Sequence, residues 1–184
     1  MRKLFIYLTI ILCSFSYSQK KALVGGTLID GYGNTPITDS VILIDGDIIT
    51  EVGTIETLSI PDSYEIISTE GMSVLPGLWD MHVHLTYDDA FTEDMPSLFL
   101  AYGITSVRDT GGLINKIKPV VERMRAEDAI SPRVYYSGPL LDGEFVVYDG
   151  GLVPEIGSKN SDIEMAEKTV SMLNKEGVDF IKIY

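Results

Sequence analysis

The sequence predicts an α/β protein in two parts, a short β-rich segment followed by a run in which strands and helices alternate. Three observations carry this prediction. Between Ala22 and Gly53, apolar and β-branched stretches are separated by turn residues at short intervals. From Val74 onward the rhythm becomes strand, helix, strand, which argues for a parallel sheet with right-handed crossovers. The first strand of that array, within Val74 to Leu85, ends in His82 and His84, and these are the two histidines of the chain.

The N-terminus reads as an export signal. Arg2 and Lys3 precede an unbroken apolar run from Leu4 to Leu12, and Ser16 and Ser18 then stand at the small positions before Gln19. That order is a secretory signal peptide over residues 1–18, so the expected localisation is exported, periplasmic or secreted. The run is too short to span a bilayer. A lipoprotein signal using Cys13 is the alternative, with bulky Leu12 standing against it. Cys13 is the single cysteine, so the mature chain offers no disulfide, thiolate ligand or cysteine nucleophile. Any metal must then be held by nitrogen and oxygen. Without Arg2 and Lys3 the chain has 12 basic residues against 27 acidic ones, a net charge of −15. That balance points away from nucleic acid and anionic membrane surfaces.

Residues 19–72 read as a small β segment. Val41-Ile42-Leu43-Ile44 and Ile48-Ile49-Thr50-Glu51-Val52 flank Asp45-Gly46-Asp47, a hairpin signal, and Tyr64 to Ser68 is a further strand. Residues 73–184 carry the alternating array. Pro96 to Ala101 is a short helix ended near Gly103, and Ile104 to Asp109 is the second strand. Ile114 to Asp128 is a helix with Ile117, Val120, Val121 and Met124 at helical spacing. Arg133 to Ser137 is the third strand. Ser161-Asp162-Ile163-Glu164 has the form of a capping box opening a helix to Glu176. Gly177 ends it, and Val178 to Tyr184 is the fourth strand.

Alternation places Leu78, Asp80, His82 and His84 on one strand face and Trp79, Met81 and Val83 on the other, which packs against helices. Side chains two apart on a strand are roughly 6.5–7 Å from each other at Cα, and two rings leaning together reach a metal at about 2.0–2.1 Å. Ordinary histidines at a strand end are the bland alternative. Lys182 is the next candidate. It shares a face with Phe180 and Tyr184, while Ile181 and Ile183 share the other. If the isoleucines pack against helices, Lys182 points inward, and desolvation there favours the neutral amine. A neutral amine reacts with carbon dioxide to give a carbamate that can bridge two cations. The alternative is a lysine snorkelling to solvent. Arg108 and Asp109 sit at a strand C-terminal end and read best as an ion pair ordering the Gly111-Gly112 turn. Asp80 shares the histidines' face and is a candidate to orient one ring. The stretch from Ser137 to Gly143, continuing through Gly151 and Pro154, reads as a substrate loop.

Pro76-Gly77-Leu78-Trp79-Asp80-Met81-His82-Val83-His84 resembles the opening signature of the amidohydrolase superfamily, metal-dependent hydrolases on a (β/α)₈ barrel. Gly103 to Gly112 and Ser137 to Gly143 are similar to its second- and third-strand segments. Gly177 to Tyr184 resembles the fourth-strand segment of the group related to imidazolonepropionase and the prolidase-like enzymes. The resemblance implies that His82 and His84 bind the more buried metal, and that Lys182, carboxylated, bridges two ions and is needed for catalysis. It implies two divalent ions, with Zn²⁺ suited to imidazole ligands. Together they activate a hydroxide against an amide, cyclic amide or peptide-like C–N bond of a small-molecule substrate. It also implies that the β segment is part of a β-sandwich beside the barrel.

Four strands and three helices make half of a barrel that needs roughly 250 residues. The expectation is therefore the N-terminal half of a (β/α)₈ TIM barrel preceded by part of a small β-sandwich, a truncated form that is itself inactive. The family's remaining ligands, histidines after strands five and six and an aspartate after strand eight, have no counterpart in the 184 residues. An open strand edge predicts self-association. The competing readings are an exported, non-catalytic fragment binding at most one metal, and a prolidase-like Xaa-Pro peptidase when full length.

Overall fold

The computed structural model describes residues 20–184. The expected signal peptide lies outside the described residues. The chain divides into two compact units, one ending at Pro76 and the other running from Gly77 to Tyr184.

In the first unit, β1 (Lys20–Leu28), β2 (Ile37–Asp45), β3 (Ile48–Thr54), β4 (Glu65–Ser68) and β5 (Ser73–Val74) form one five-stranded sheet. The order is β3-β2-β1-β4, with β5 also paired to β1. The β1/β2 and β2/β3 pairs are antiparallel, whereas β4 and β5 run parallel to β1. The hairpin signal is realised as a two-residue turn, Gly46-Asp47, in which Gly46 takes a φ of +64° that disfavours a side chain. One sheet face buries Ala22, Val41 and Leu43 against Val24, Leu58, Ile60 and Tyr64. Ile48, Ile49, Val52 and Ile66 stand exposed. The unit is thus a single sheet. Val74, from which the sequence reads as the alternating array, pairs with Leu28 of β1. Pro76-Gly77 then separates it from the strand that follows.

The second unit opens with β6 (Leu78–Val83), α1 (Met95–Ala101), β7 (Ile104–Asp109), α2 (Ile114–Met124) and β8 (Arg133–Tyr136). The three strands make a parallel sheet in the order β6-β7-β8. Val107 and Val134 of the sheet are buried against Ile117, Val120, Val121 and Met124, the apolar stripe of α2. That stripe is the reason the segment is helical and the reason it docks here. The helix stops at Met124, short of the expected Asp128. Ser131 Oγ donates to the Met124 carbonyl at 2.7 Å and so meets one of the acceptors a helix end leaves open.

Next come β9 (Leu140–Asp142) and β10 (Gly157–Lys159), paired in parallel, and α3 (Ile163–Glu176). Asp162, not Ser161, caps α3: its Oδ1 accepts the Met165 N–H at 2.8 Å. Gly177 closes the helix in the left-handed conformation, φ +78°.

The expected fourth strand is an extended segment with a single parallel bridge, Leu141 to Ile183. Asp179 N–H donates to the Tyr136 carbonyl, Leu141 N–H to that of Lys182 and Tyr184 N–H to that of Leu141, at 2.9, 2.9 and 3.0 Å. The ladder is broken because its neighbour is broken. Gly138 turns at φ +72°, its carbonyl accepts from Gly112 N–H, and Pro139 has no N–H to give.

Two substitutions test this packing. Ile117 is fully buried, so Ile117→Ala should cost about 2–5 kcal/mol in chemical denaturation. Thr105 occupies the place a Cβ on Gly77 would take, so Gly77→Ala should also destabilise. A wild-type denaturation midpoint for either would contradict the packing described.

Candidate functional site

The site begins with a mismatch in strand register. Asp80 pairs with Val107 and Val83 with Asp109, so β6 advances three residues while β7 advances two. The extra residue makes a bulge, which bends a strand and re-aims its side chains. Arg108 serves this bulge. Its Nε–H donates to the Met81 carbonyl at 2.8 Å, and its guanidinium lies 5.4 Å from the centre of the Phe180 ring. The expected Arg108–Asp109 ion pair does not form, because the two side chains point to opposite tasks. Asp109 is fully buried, and its carboxylate accepts the Leu85 N–H at 2.6 Å and the Gly111 N–H at 3.0 Å. It does order the glycine turn, without the arginine.

His82 and His84 stand with ring centres 5.3 Å apart and planes 77° to each other. His82 is exposed and His84 half-buried. The His84 Nδ1 lies 3.0 Å from the Gly111 carbonyl oxygen. A carbonyl only accepts, so Nδ1 carries the proton and the Nε2 lone pair is left free. Burial lowers the His84 pKa, the Gly111 carbonyl opposes that shift, and the positive charges of His82 and Lys182 add to the lowering. The lowering favours the neutral ring, the form that binds a cation. Asp80 accepts the His82 backbone N–H at 3.1 Å, so it fixes the chain rather than a ring as the sequence had implied. Of the other face, Val83 is buried and Trp79 stacks on Tyr135 at 5.4 Å, while Met81 is exposed.

Lys182 is half-buried, and its charge is felt at His84. Ile183 is 75% exposed, so the packing expected to turn Lys182 inward is present only at half-buried Ile181. The single-bridge pairing of this segment accounts for that. Among the described residues, no three His, Cys, Asp or Glu side chains gather into a metal-holding group. The donors on hand fit part of a centre: two imidazoles, one with its outer nitrogen already satisfied, and an amine nearby. The seat is tight, since a Cβ on Gly111 would come within 3.1 Å of His84 Cε1.

Sequence reasoning missed an arc of tyrosines. Tyr87 lies 5.8 Å from His84, Tyr148 6.5 Å from Tyr87 edge-on, and Tyr184 5.6 Å from Tyr148 edge-on. The loop between β9 and β10 delivers Tyr148: its carbonyl accepts the N–H groups of Ile156 and Gly157, folding the loop back on itself. Tyr184 shares the Lys182 strand face and was legible. Tyr87 and Tyr148 sit in loops without periodicity, and only the fold brings them together.

Burial pushes the Asp109 carboxyl up to about 7, against the two N–H groups that lower it. In the unfolded chain the same group titrates near 3.8. Between those values the folded state binds the proton and the unfolded state does not, so this group's contribution to stability falls as pH rises from about 4 to 7. Asp109→Asn should flatten that part of the stability–pH curve. A slope identical to wild type in urea denaturation across that range would contradict it.

No protein-family model matches the chain. Aspergillus niger ochratoxinase is 28% identical over 153 residues, which are 72% of this chain and 31% of its own. A crystal structure of a Bifidobacterium longum protein assigned as a prolidase matches at a TM-score of 0.72 and 26% identity, over 91% of this chain and 41% of its own. Molinate hydrolase matches at a TM-score of 0.73 and 22% identity, over 92% of this chain and 45% of its own, and so shares the fold. The chain spans about a third of the length of the curated relative and less than half that of these structures. Over nearly its whole described length, the structural relatives of this chain are amidohydrolase-type enzymes, of which it matches the N-terminal portion.

Proposed function

We propose that the chain is the N-terminal portion of an exported, metal-dependent amidohydrolase acting on an amide, cyclic amide or peptide-like C–N bond of a small molecule. The observation that carries this is the His82–His84 pair, 5.3 Å apart at the end of a parallel strand, with the ring proton of His84 committed to the Gly111 carbonyl. The relatives supply the hydrolase class. Exposed Ile49 and Val52, on the sheet face opposite Ala22, Val41 and Leu43, support a sandwich closed by further strands. The parallel bridge from Leu141 to Ile183 likewise supports a fourth barrel strand in this segment. The charged, apolar and small-residue order over residues 1–18 supports export to the periplasm or exterior.

When bound, divalent ions, Zn²⁺ by the donor chemistry, supply a Lewis acid for the scissile carbonyl and lower the pKa of water. His82 and His84 hold one ion through ring nitrogens. Lys182, as its carbamate, would be a further oxygen ligand. Gly111 keeps the His84 ring in place. Tyr87, Tyr148 and Tyr184 line the approach and orient the substrate. A prolidase-like peptidase is the second reading, favoured by the B. longum match.

The experiment is a hydrolysis screen of the full gene product with amides, lactams and Xaa-Pro dipeptides, with bound metal measured in parallel. His82→Ala with His84→Ala should abolish activity and remove most of the metal. Lys182→Ala should lose most activity and regain part of it with added propionate, and wild type prepared in ¹³C-bicarbonate should show a carbamate carbon that Lys182→Ala lacks. Full metal content in the double histidine variant would place the centre elsewhere.

A further inference from the structure

We propose that Asp109 is a positioning residue that sets the tautomer and the seat of the His84 ring, by pinning both chain segments that hold it. His84 is gripped at two points. Its own strand end continues into Leu85, whose N–H ends on one Asp109 oxygen at 2.6 Å. Its ring donates through Nδ1 to the Gly111 carbonyl at 3.0 Å, and the Gly111 N–H ends on the other Asp109 oxygen, also at 3.0 Å. One fully buried carboxylate therefore joins the histidine's backbone to the group that takes its ring proton.

The arrangement has little slack. Leu85 is itself fully buried, and the Gly111 Cα lies so close to the ring that a methyl group there would touch His84 Cε1 and Leu140 Cγ at 3.1 Å. Two N–H groups converging on one side chain require an acceptor at both positions, and a carboxyl group offers an oxygen at each, whereas a carboxamide offers one. An asparagine would keep the volume, accept one N–H and turn its own donors toward the other. Gly111 would then drift, and with it the carbonyl that keeps the proton on Nδ1. A histidine freed of that carbonyl favours the opposite tautomer, with its proton on Nε2, where a cation has to bind.

The test uses Asp109→Asn and reads the His84 ring directly. Side-chain ¹⁵N NMR of the metal-free protein should show His84 as a single Nδ1–H tautomer in wild type and as a mixture, or as the Nε2–H form, in the variant. Zinc titration should show affinity at least tenfold weaker in the variant, in line with losses on removing outer partners of metal ligands. An unchanged tautomer in a folded Asp109→Asn protein would overturn the proposal. If that variant does not fold, wild type decides. Couplings across the hydrogen bonds should link the Leu85 and Gly111 nitrogens to the Asp109 carboxyl carbon, with His84 as Nδ1–H, and absence of either overturns it. The affinity arm rests on the proposed metal site and the tautomer arm does not. A wild-type protein that binds no zinc would count against that site, and the tautomer would still decide the role of Asp109.

Discussion

Between Asp80 and Val83, β6 carries one residue more than the β7 stretch opposite it, and the neighbourhood of the candidate site is arranged around that surplus. A regular parallel ladder would have left Met81 and His82 in the pleat with their backbone groups paired. The bulge removes Met81 from the ladder, and Arg108 from the facing strand meets its carbonyl. Beyond the bulge the strand is re-registered, so that Thr110 N–H reaches Val83 and Asp109 reaches Leu85. His84 lies between these two anchors, which is why a half-buried ring at a strand end keeps a defined orientation.

Two aspartates, the buried Asp109 and the exposed Asp179, do the same physical job in different places. The β6–β7 ladder runs out at Val83, and Asp109 takes up the next N–H with its side chain. The β8 ladder runs out at Tyr136, and there Asp179 Oδ2 accepts the Tyr136 N–H at 2.9 Å and an Arg125 N–H at 2.7 Å. Asp179 also donates its own N–H to the Tyr136 carbonyl. A parallel sheet whose strands end in functional loops leaves backbone donors in dry surroundings, and each unsatisfied one is costly. Carboxylates on the neighbouring segment meet that need while leaving the strand ends free of further pairing.

Periodicity made the scaffold readable. The stripe Ile117, Val120, Val121, Met124 and the hairpin at Gly46-Asp47 were explicit, and the spacing of His82 and His84 identified the candidate site. What escaped reading depends on contacts distant in sequence. The bulge follows from register against β7, and Arg108 and Asp109 looked like partners only because they are adjacent. Asp162 displaced Ser161 as the cap of α3, a shift of one residue between two good capping types. Lys182 was placed by a packing argument that needs both isoleucines covered, and Ile183 is exposed. Tyr87 and Tyr148 belong to irregular loops, where no pattern tells which side chains meet.

The central claim is that His82 and His84 present imidazole nitrogens to one cation. Zinc-edge X-ray absorption on the zinc-loaded protein tests it most directly. The account predicts a nitrogen and oxygen shell at about 2.0–2.1 Å with the outer scattering pattern of two or more imidazoles and no sulfur. Oxygen ligands alone, with no imidazole scattering, would contradict it.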